Sequence, residues 1–377
     1  MLPEQPFLHA PSSVPIVDLF AGPGGLDVAA EWLGFPAEGV EFDANACATR
    51  RRAGLRTRQR DVRDLGPADF PDATVLTGGP PCQTFTVAGT GGGRRALERI
   101  RTLVELMVDR HDVREIVSGL DDERTGLVLE PLRWVIEAMD QERQYEAIVL
   151  EQVPAVLPVW EAMAEALERV GNYRTATGIL RTEQFGVPQT RRRAILMARL
   201  GEQPALPTPT HRPYRRGVDR DQGDPRLLPW ETMGRTLDRP QPFEVVSNYG
   251  TGGDPKDRGR RRFDEPAATV TGKIRRNRIT GRGATRGERF TEYEAGMLQT
   301  FPHDYPWSGN DVGQQVGNAI PPRLAAHVLA GVLGIELTVE ELDARVRAPW
   351  VSGLQPIVAD RQVVDLDAMR LEAEPAS

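Results

Sequence analysis

Residues Val14 to Asp27, VPIVDLFAGPGGLD, set a short apolar run directly against three glycines and the start of a periodic segment. Val14 to Phe20 has the continuous apolar character of a strand buried on both faces, and Leu26 to Leu33 repeats at helical spacing. Gly22, Gly24 and Gly25 let the backbone turn tightly and approach a ligand, while the helix behind them offers free N–H groups in its first turn. A strand, a glycine turn and a helix in that order predict a nucleotide-like pocket at the carboxyl end of the first strand of a parallel sheet. The spacing is not G-x-G-x-x-G, which argues against a dinucleotide.

The same grammar continues outward. "AEGVEFD", "ATVLTGG", "EAIVLEQV" and "RRAILMA" read as further buried strands, and Glu130 to Met139 and Val159 to Val170 as helices. Alternating strands and helices predict an α/β fold, a parallel sheet covered on both faces. After Leu200 the character changes: Pro204, Pro207, Pro209 and Pro213 break regular elements, and the chain to about Asn310 is rich in Gly, Pro and Arg. The expected division is a catalytic and cofactor-binding domain over 1–199 with 312–335 returning to it, a smaller irregular domain over 200–311, and a tail over 336–377. That tail holds 9 Asp+Glu against 4 Arg and is expected to be peripheral.

Apolar residues make up 40% and charged residues 27% of 377, the mix of a soluble globular protein, and no internal repeat is found. No apolar run reaches the ~18 residues of a membrane span, and the start lacks a signal pattern, so a cytoplasmic protein is expected. Two cysteines, Cys47 and Cys82, cannot build a disulfide framework, and no Cys/His spacing suits a metal. The net charge of −7 conceals a polarity, because residues 211–290 hold 19 Lys+Arg against 11 Asp+Glu. Arg258, Arg260, Arg261, Arg262, Lys273, Arg275, Arg276, Arg278, Arg282 and Arg286 crowd together there. One basic face on an acidic body suits a phosphate backbone, although a solvated arginine-rich surface would look the same.

Several residues carry candidate chemistry. Glu41 ends the second strand about 20 residues beyond the glycine turn, where a carboxylate can accept both hydroxyls of a ribose. Asp61, after a third strand, can accept from an adenine amino group. Cys82 lies in "TGGPPCQTF", just past a strand, where Pro80 and Pro81 stiffen the backbone and the glycines leave room beside the sulfur. A buried cysteine is commonly inert packing, but this setting suits a nucleophile; Cys47, in "ANACATRRR", is read as structural. Glu151 ends the strand "IVLEQV" on the same sheet edge, where shielding by Val153 and Pro154 would raise its pKa. In "GVPQTRRR", Gln189, Arg191 and Arg193 alternate along an extended segment, so the two arginines can face a base, a phosphate or Glu151.

Taken in order, "DLFAGPGG", "GGPPCQ", "LEQV", "GVPQTRRR", "AATVTG", "EAGMLQTFPHDY" and "QQVGNAIPPRLA" resemble the DNA (cytosine-5) methyltransferase family over about 1–200 and 265–335. The resemblance implies a Rossmann-like S-adenosylmethionine-dependent methyltransferase sheet with a target-recognition domain. It implies double-stranded DNA as substrate, S-adenosylmethionine as cofactor, a monomer, and a role alone or beside a cognate restriction endonuclease. A cytosine would be flipped out of the duplex, attacked at carbon 6 by Cys82 and protonated at nitrogen 3 by Glu151, with Arg193 beside them and Arg191 and Gln189 in support. Phe20, Gly22, Gly24, Gly25, Leu26, Glu41, Asp61, Pro80 and Asn318 would form the cofactor side.

Three departures stand out. Gln152 replaces the family's usual asparagine, lengthening a side chain that braces the local backbone, and Thr86 replaces a serine. Between "VAGTGGG" and "DDERTG" an insert intervenes in which Leu97, Ile100, Val104 and Met107 recur at helical spacing, predicting a helix that packs on the sheet or grips DNA. Gly89 to Gly93 would hinge a closing loop or serve as a plain linker. Two other readings remain at this point, an RNA (tRNA) cytosine methyltransferase of the same fold and a catalytically inactive DNA-binding regulator.

Overall fold

The computed structural model describes residues 15–81, 92–118, 126–247 and 259–350, together with Ile357. Cys82, Thr86, Gly89 to Gly91, the run before Gly126, and Lys256 and Arg258 lie outside those residues, as does the side chain of Leu97.

The central sheet has seven strands: β1 (Ile16–Leu19), β2 (Ala37–Glu41), β3 (Arg56–Gln59), β4 (Val75–Gly78), β5 (Ala147–Gln152), β6 (Tyr173–Arg181) and β7 (Arg192–Leu200), in the order β3-β2-β1-β4-β5-β7-β6. β1 to β5 are parallel, as the apolar runs of β1, β2, β4 and β5 predict; β3, RTRQ, is a polar edge strand. At one end of this mostly parallel sheet β7 enters antiparallel between β5 and β6. β6 escapes the sequence reading because its residues YRTATGILR are half-exposed along an edge and lack a continuous apolar run. The reversal matters for chemistry. Glu151 pairs with Ile195 and Gln152 with Ala194, so the start of β7 meets the carboxyl end of β5 and delivers Arg193 to Glu151.

Helices cover both faces. α1 (Gly25–Leu33) and α2 (Ala44–Arg52) follow β1 and β2; α3 (Gly92–Val108) and α4 (Arg114–Ser118) come from the insert; α5 (Glu130–Asp140) and α6 (Leu157–Val170) flank β5. Asp43 caps α2 by accepting from the Asn45 and Ala46 N–H groups. α3 buries Ile100, Val104 and Met107 as its periodicity predicts, and packs on α6 and α5. Along β1 alternate residues feed two apolar clusters, Ile16 with Trp32 on one face and Val17 with Trp134 and Trp160 on the other.

Beyond β7, α7 (Met233–Thr236) precedes a three-stranded antiparallel sheet of β8 (Phe243–Val246), β9 (Arg260–Arg262) and β10 (Arg278–Gly281), in the order β10-β8-β9. The chain then runs through α8 (Glu292–Leu298), α9 (Val312–Asn318) and α10 (Pro322–Leu333), and α10 packs on α1. α10 opens with proline in its first turn and ends at Gly334 in the left-handed conformation. The tail starts with α11 (Val339–Arg347), capped by a Thr338/Glu341 box, and is less peripheral than its charge suggests. Leu342 is fully buried, Asp343 pairs with the buried Arg323, and the Ile357 N–H donates to the Trp32 carbonyl at 2.9 Å.

Candidate active site

A cleft of about 1020 Å³ opens at the carboxyl ends of β1, β2, β4 and β5, where strand order switches direction. At one end the β1–α1 turn is held by strain that glycine tolerates. Gly24 has φ +103°, and a Cβ there would run into Leu55 and stand 3.1 Å from the Tyr305 hydroxyl; a Cβ on Gly25 would strike the Ile320 carbonyl. Phe20 is itself left-handed at φ 58°. Phe20, Gly22, Gly25 and Leu26 line the cleft, while Gly24 lies behind its wall.

Glu41 faces this turn from β2. Its two oxygens accept the Gly22 and Asp43 N–H groups, each at 2.7 Å, which orients the carboxylate and leaves one lone-pair site on each oxygen for a ligand. Burial pushes its pKa up, and those two N–H bonds oppose the rise. Asp61 sits at the rim, where it caps a short 3₁₀ turn and pairs with Arg63 at 2.6 Å. The hydrogen bonds from Arg63 hold its pKa below the ordinary carboxylate range. Between the two acids stands Phe42, 72% exposed and lining the cleft, which the sequence reading passed over. Its signal was available: an aromatic directly after the acid that ends a strand, facing the same pocket.

Beneath the turn lies a buried charged node. Arg50 of α2 holds Asp27 with two bonds of 2.6 and 2.8 Å and also donates to the Arg56 carbonyl, while Thr77 donates to Asp18 at 2.7 Å. Burial first, and then the neighbouring Asp27 carboxylate, push Asp18 well above the ordinary range. Cys47, packed nearby, has its thiol pushed up to about 11 by burial, which leaves it protonated and unreactive.

At the other end of the cleft Glu151 is 7% exposed and carries an ion pair with Arg193. Burial raises its pKa and Arg193 opposes that rise. In that pair the Arg193 Nε lies against Oε1 of Glu151. The next residue, Gln152, forms a clamp: its amide N–H donates to the Pro80 carbonyl at 2.5 Å and its oxygen accepts the Val153 N–H at 2.5 Å. The longer side chain therefore still braces the backbone, two residues before Cys82. Pro80 is buried behind that bond, and Pro81 is the proline on the cleft wall.

The arginines of "QTRRR" separate in space. Arg193 alone reaches Glu151; Arg191 is buried and donates to the Val270 and Gly317 carbonyls, each at 2.9 Å. Gln189 donates to the Leu298 carbonyl and accepts from the Val270 N–H, both at 3.0 Å. These two side chains sew "AATVTG" and "QQVGN" to the β6–β7 connection, which brings Thr269, Thr271, Lys273 and Asn318 to the cleft. Asn318 accepts from Gln314 at 2.8 Å. Of the basic residues expected to form one face, Lys273, Arg276, Arg278, Arg282 and Arg286 are exposed and in no ion pair among the described residues, whereas Arg260, Arg262 and Arg275 pair with Glu244, Asp264 and Glu292. Among those residues there is also no cluster that could hold a metal, and no helix is long and apolar enough to cross a membrane.

A family model for the C-5 cytosine-specific DNA methylase matches residues 14–216. The chain belongs to that family. It is a DNA (cytosine-5) methyltransferase, and the matched residues span the glycine turn, Glu41, Glu151 and Arg193. Type II methyltransferase M1.HphI of Haemophilus parahaemolyticus is 28% identical over 357 residues, covering 85% of this chain and 87% of its own length. Type II methyltransferase M.AplI of Arthrospira platensis is also 28% identical, covering 89% of each. Among solved structures, the S. pombe Dnmt2 methyltransferase superposes with a TM-score of 0.57 at 18% identity, covering 85% of this chain and 98% of its own. At that identity the likeness shows a shared fold, a methyltransferase α/β sheet with a smaller antiparallel sheet beside it.

Proposed function

We propose that this methyltransferase modifies carbon 5 of a cytosine in duplex DNA at a specific sequence, with the base flipped into the cleft and Cys82 as covalent nucleophile. The observation that carries the reading is the buried Glu151–Arg193 pair sharing one cleft with the glycine turn and Glu41. A volume of about 1020 Å³ is at the upper end of small-molecule pockets and suits a nucleoside cofactor with a base beside it.

The chain's residues divide the work. Cys82 adds to ring carbon 6 as Glu151, whose pKa burial raises, protonates ring nitrogen 3; the electrons gained make carbon 5 nucleophilic. Arg193 holds the Glu151 carboxyl in place and stabilises it once the proton has gone. After carbon 5 is methylated, a base removes its proton and the C6–S bond breaks, freeing Cys82. S-adenosylmethionine, when bound, supplies the methyl group as an electrophile on a sulfonium. The chain fits that cofactor: Glu41 keeps two free lone-pair sites for ribose hydroxyls, exposed Phe42 offers a stacking face for adenine, and α1 opens with unpartnered N–H groups. Lys273, Arg276, Arg278, Arg282 and Arg286 would take DNA phosphates. That the relatives are type II methyltransferases supports a cognate restriction endonuclease as partner.

Duplexes carrying 5-fluorocytosine test this, because fluorine cannot leave carbon 5 as a proton does and the adduct persists. Wild type with S-adenosylmethionine should form a covalent complex and Cys82→Ser should not; absence of an adduct on every duplex tried would overturn the reading. Parallel methyl-transfer assays on duplex DNA and tRNA separate the DNA substrate from an RNA one.

A further inference from the structure

The carbonyl of Pro23, at the apex of the cofactor turn, accepts the Tyr305 hydroxyl at 2.5 Å across 282 residues of sequence. Pro23 lies between two left-handed glycines, Gly22 at φ 53° and Gly24 at φ 103°. Such a turn has little intrinsic preference for one orientation of its peptide planes, and a fixed carbonyl removes that freedom. With Pro23 held, the Gly24 N–H meets the Ala21 carbonyl at 3.1 Å, the Gly22 N–H meets Glu41 at 2.7 Å, and α1 begins with its first-turn N–H groups at the cleft.

Tyr305 is itself held from three sides. Its ring packs against Phe301 at 4.8 Å, Trp307 at 4.9 Å and Trp350 at 5.5 Å between centroids, and it is fully buried. Burial pushes the phenol well above its ordinary pKa, so the hydroxyl remains a donor across the working pH range. Trp350 arrives from the C-terminal segment and is pinned at both ends: its backbone N–H donates to Asp304 at 2.7 Å and its indole N–H to the Ala53 carbonyl at 3.0 Å. The segment read from its charge as peripheral thus buttresses an aromatic block from which the Tyr305 hydroxyl reaches the cofactor turn.

We propose that Tyr305 is a positioning residue for the S-adenosylmethionine turn and that Trp350 holds it there. The proposal rests on the cofactor reading above. It is tested by calorimetric binding of S-adenosylmethionine and S-adenosylhomocysteine to the full-length wild type, Tyr305→Phe and Trp350→Ala, without DNA. Losing one buried hydrogen bond that organises the turn should weaken both ligands about 5- to 10-fold in Tyr305→Phe. Turnover at saturating cofactor and affinity for duplex DNA should stay within about twofold, a split that a general loss of packing would not give. Trp350→Ala should weaken the same two ligands in the same direction. Tyr305→Phe binding within twofold of wild type, or losing turnover with cofactor affinity intact, overturns the role of Tyr305. Weakened binding in Tyr305→Phe with unchanged binding in Trp350→Ala overturns the role of Trp350. If wild type binds neither ligand, the cofactor reading fails too, an outcome distinct from a failure confined to the variants.

Discussion

Replacing Arg193 by methionine should turn Glu151 into a pH-dependent liability. In wild type, burial raises the Glu151 carboxyl and Arg193 pulls it back. Arg193→Met keeps most of the side-chain volume but removes the counter-charge, so Glu151 rises further. The folded variant then keeps a proton at pH values where the unfolded chain has lost it. Stability must therefore fall as pH rises, by at most about 1.4 kcal/mol per pH unit. The fall begins above the ordinary carboxylate range and levels off above the raised native value, where the cost approaches the roughly 3–5 kcal/mol of a buried charge stripped of its partner.

Urea unfolding of wild type and Arg193→Met at a series of pH values from about 5 to about 8 measures this, with Arg193→Met/Glu151→Gln as control. The gap between wild type and the single variant should widen with pH, and the double variant should abolish the widening. Parallel curves, or a pH dependence that persists without the Glu151 carboxyl, would refute the coupling. Turnover of Arg193→Met should also drop by about 10² to 10⁴, the range expected when a general acid loses its orientation.

Gln152→Ala removes the clamp on the Pro80 carbonyl and should lower turnover while leaving the S-adenosylmethionine KM near wild type; steady-state kinetics in both substrates decide it, and a pure KM effect would count against the clamp. Gly25→Ala places a methyl into the Ile320 carbonyl, and thermal unfolding should show a loss of at least about 2 kcal/mol. Gly22→Ala, with open space around its Cβ but φ +53°, should cost only about 1 kcal/mol. Burial holds His211 down to about 4 and His327 to about 3, with Arg323 adding to both. The unfolded chain therefore takes up protons first on acidification, and stability should fall as pH drops from about 6.5 toward 4, a slope that His327→Leu should reduce.

Much of this protein is legible along the chain because the deciding features are local. A buried parallel strand announces itself by unbroken apolar character, a helix by its period, and a ligand-cradling turn by glycines that no other residue replaces; β1, β2, β4, β5, α1 and α5 follow from those signals. Glu41, Asp61 and Glu151 could be placed at one sheet edge because each lies at or just past the carboxyl end of a strand, and strands in a parallel sheet end together. β6 could not, since an edge strand with half-exposed residues carries no apolar run.

What the tertiary structure alone decided is direction and partnership. Arg191 and Arg193 are equivalent in sequence, two residues apart on one extended segment, yet the antiparallel entry of β7 gives Arg193 to Glu151 while Arg191 joins the returning chain. Pro80 and Pro81 are likewise adjacent, and only the Gln152 clamp shows which of them turns inward. Tyr305 and Trp350 lie hundreds of residues from the turn they support. Composition and periodicity fix which face of a segment is buried, but not which distant group meets it, because that contact forms only when the layers pack.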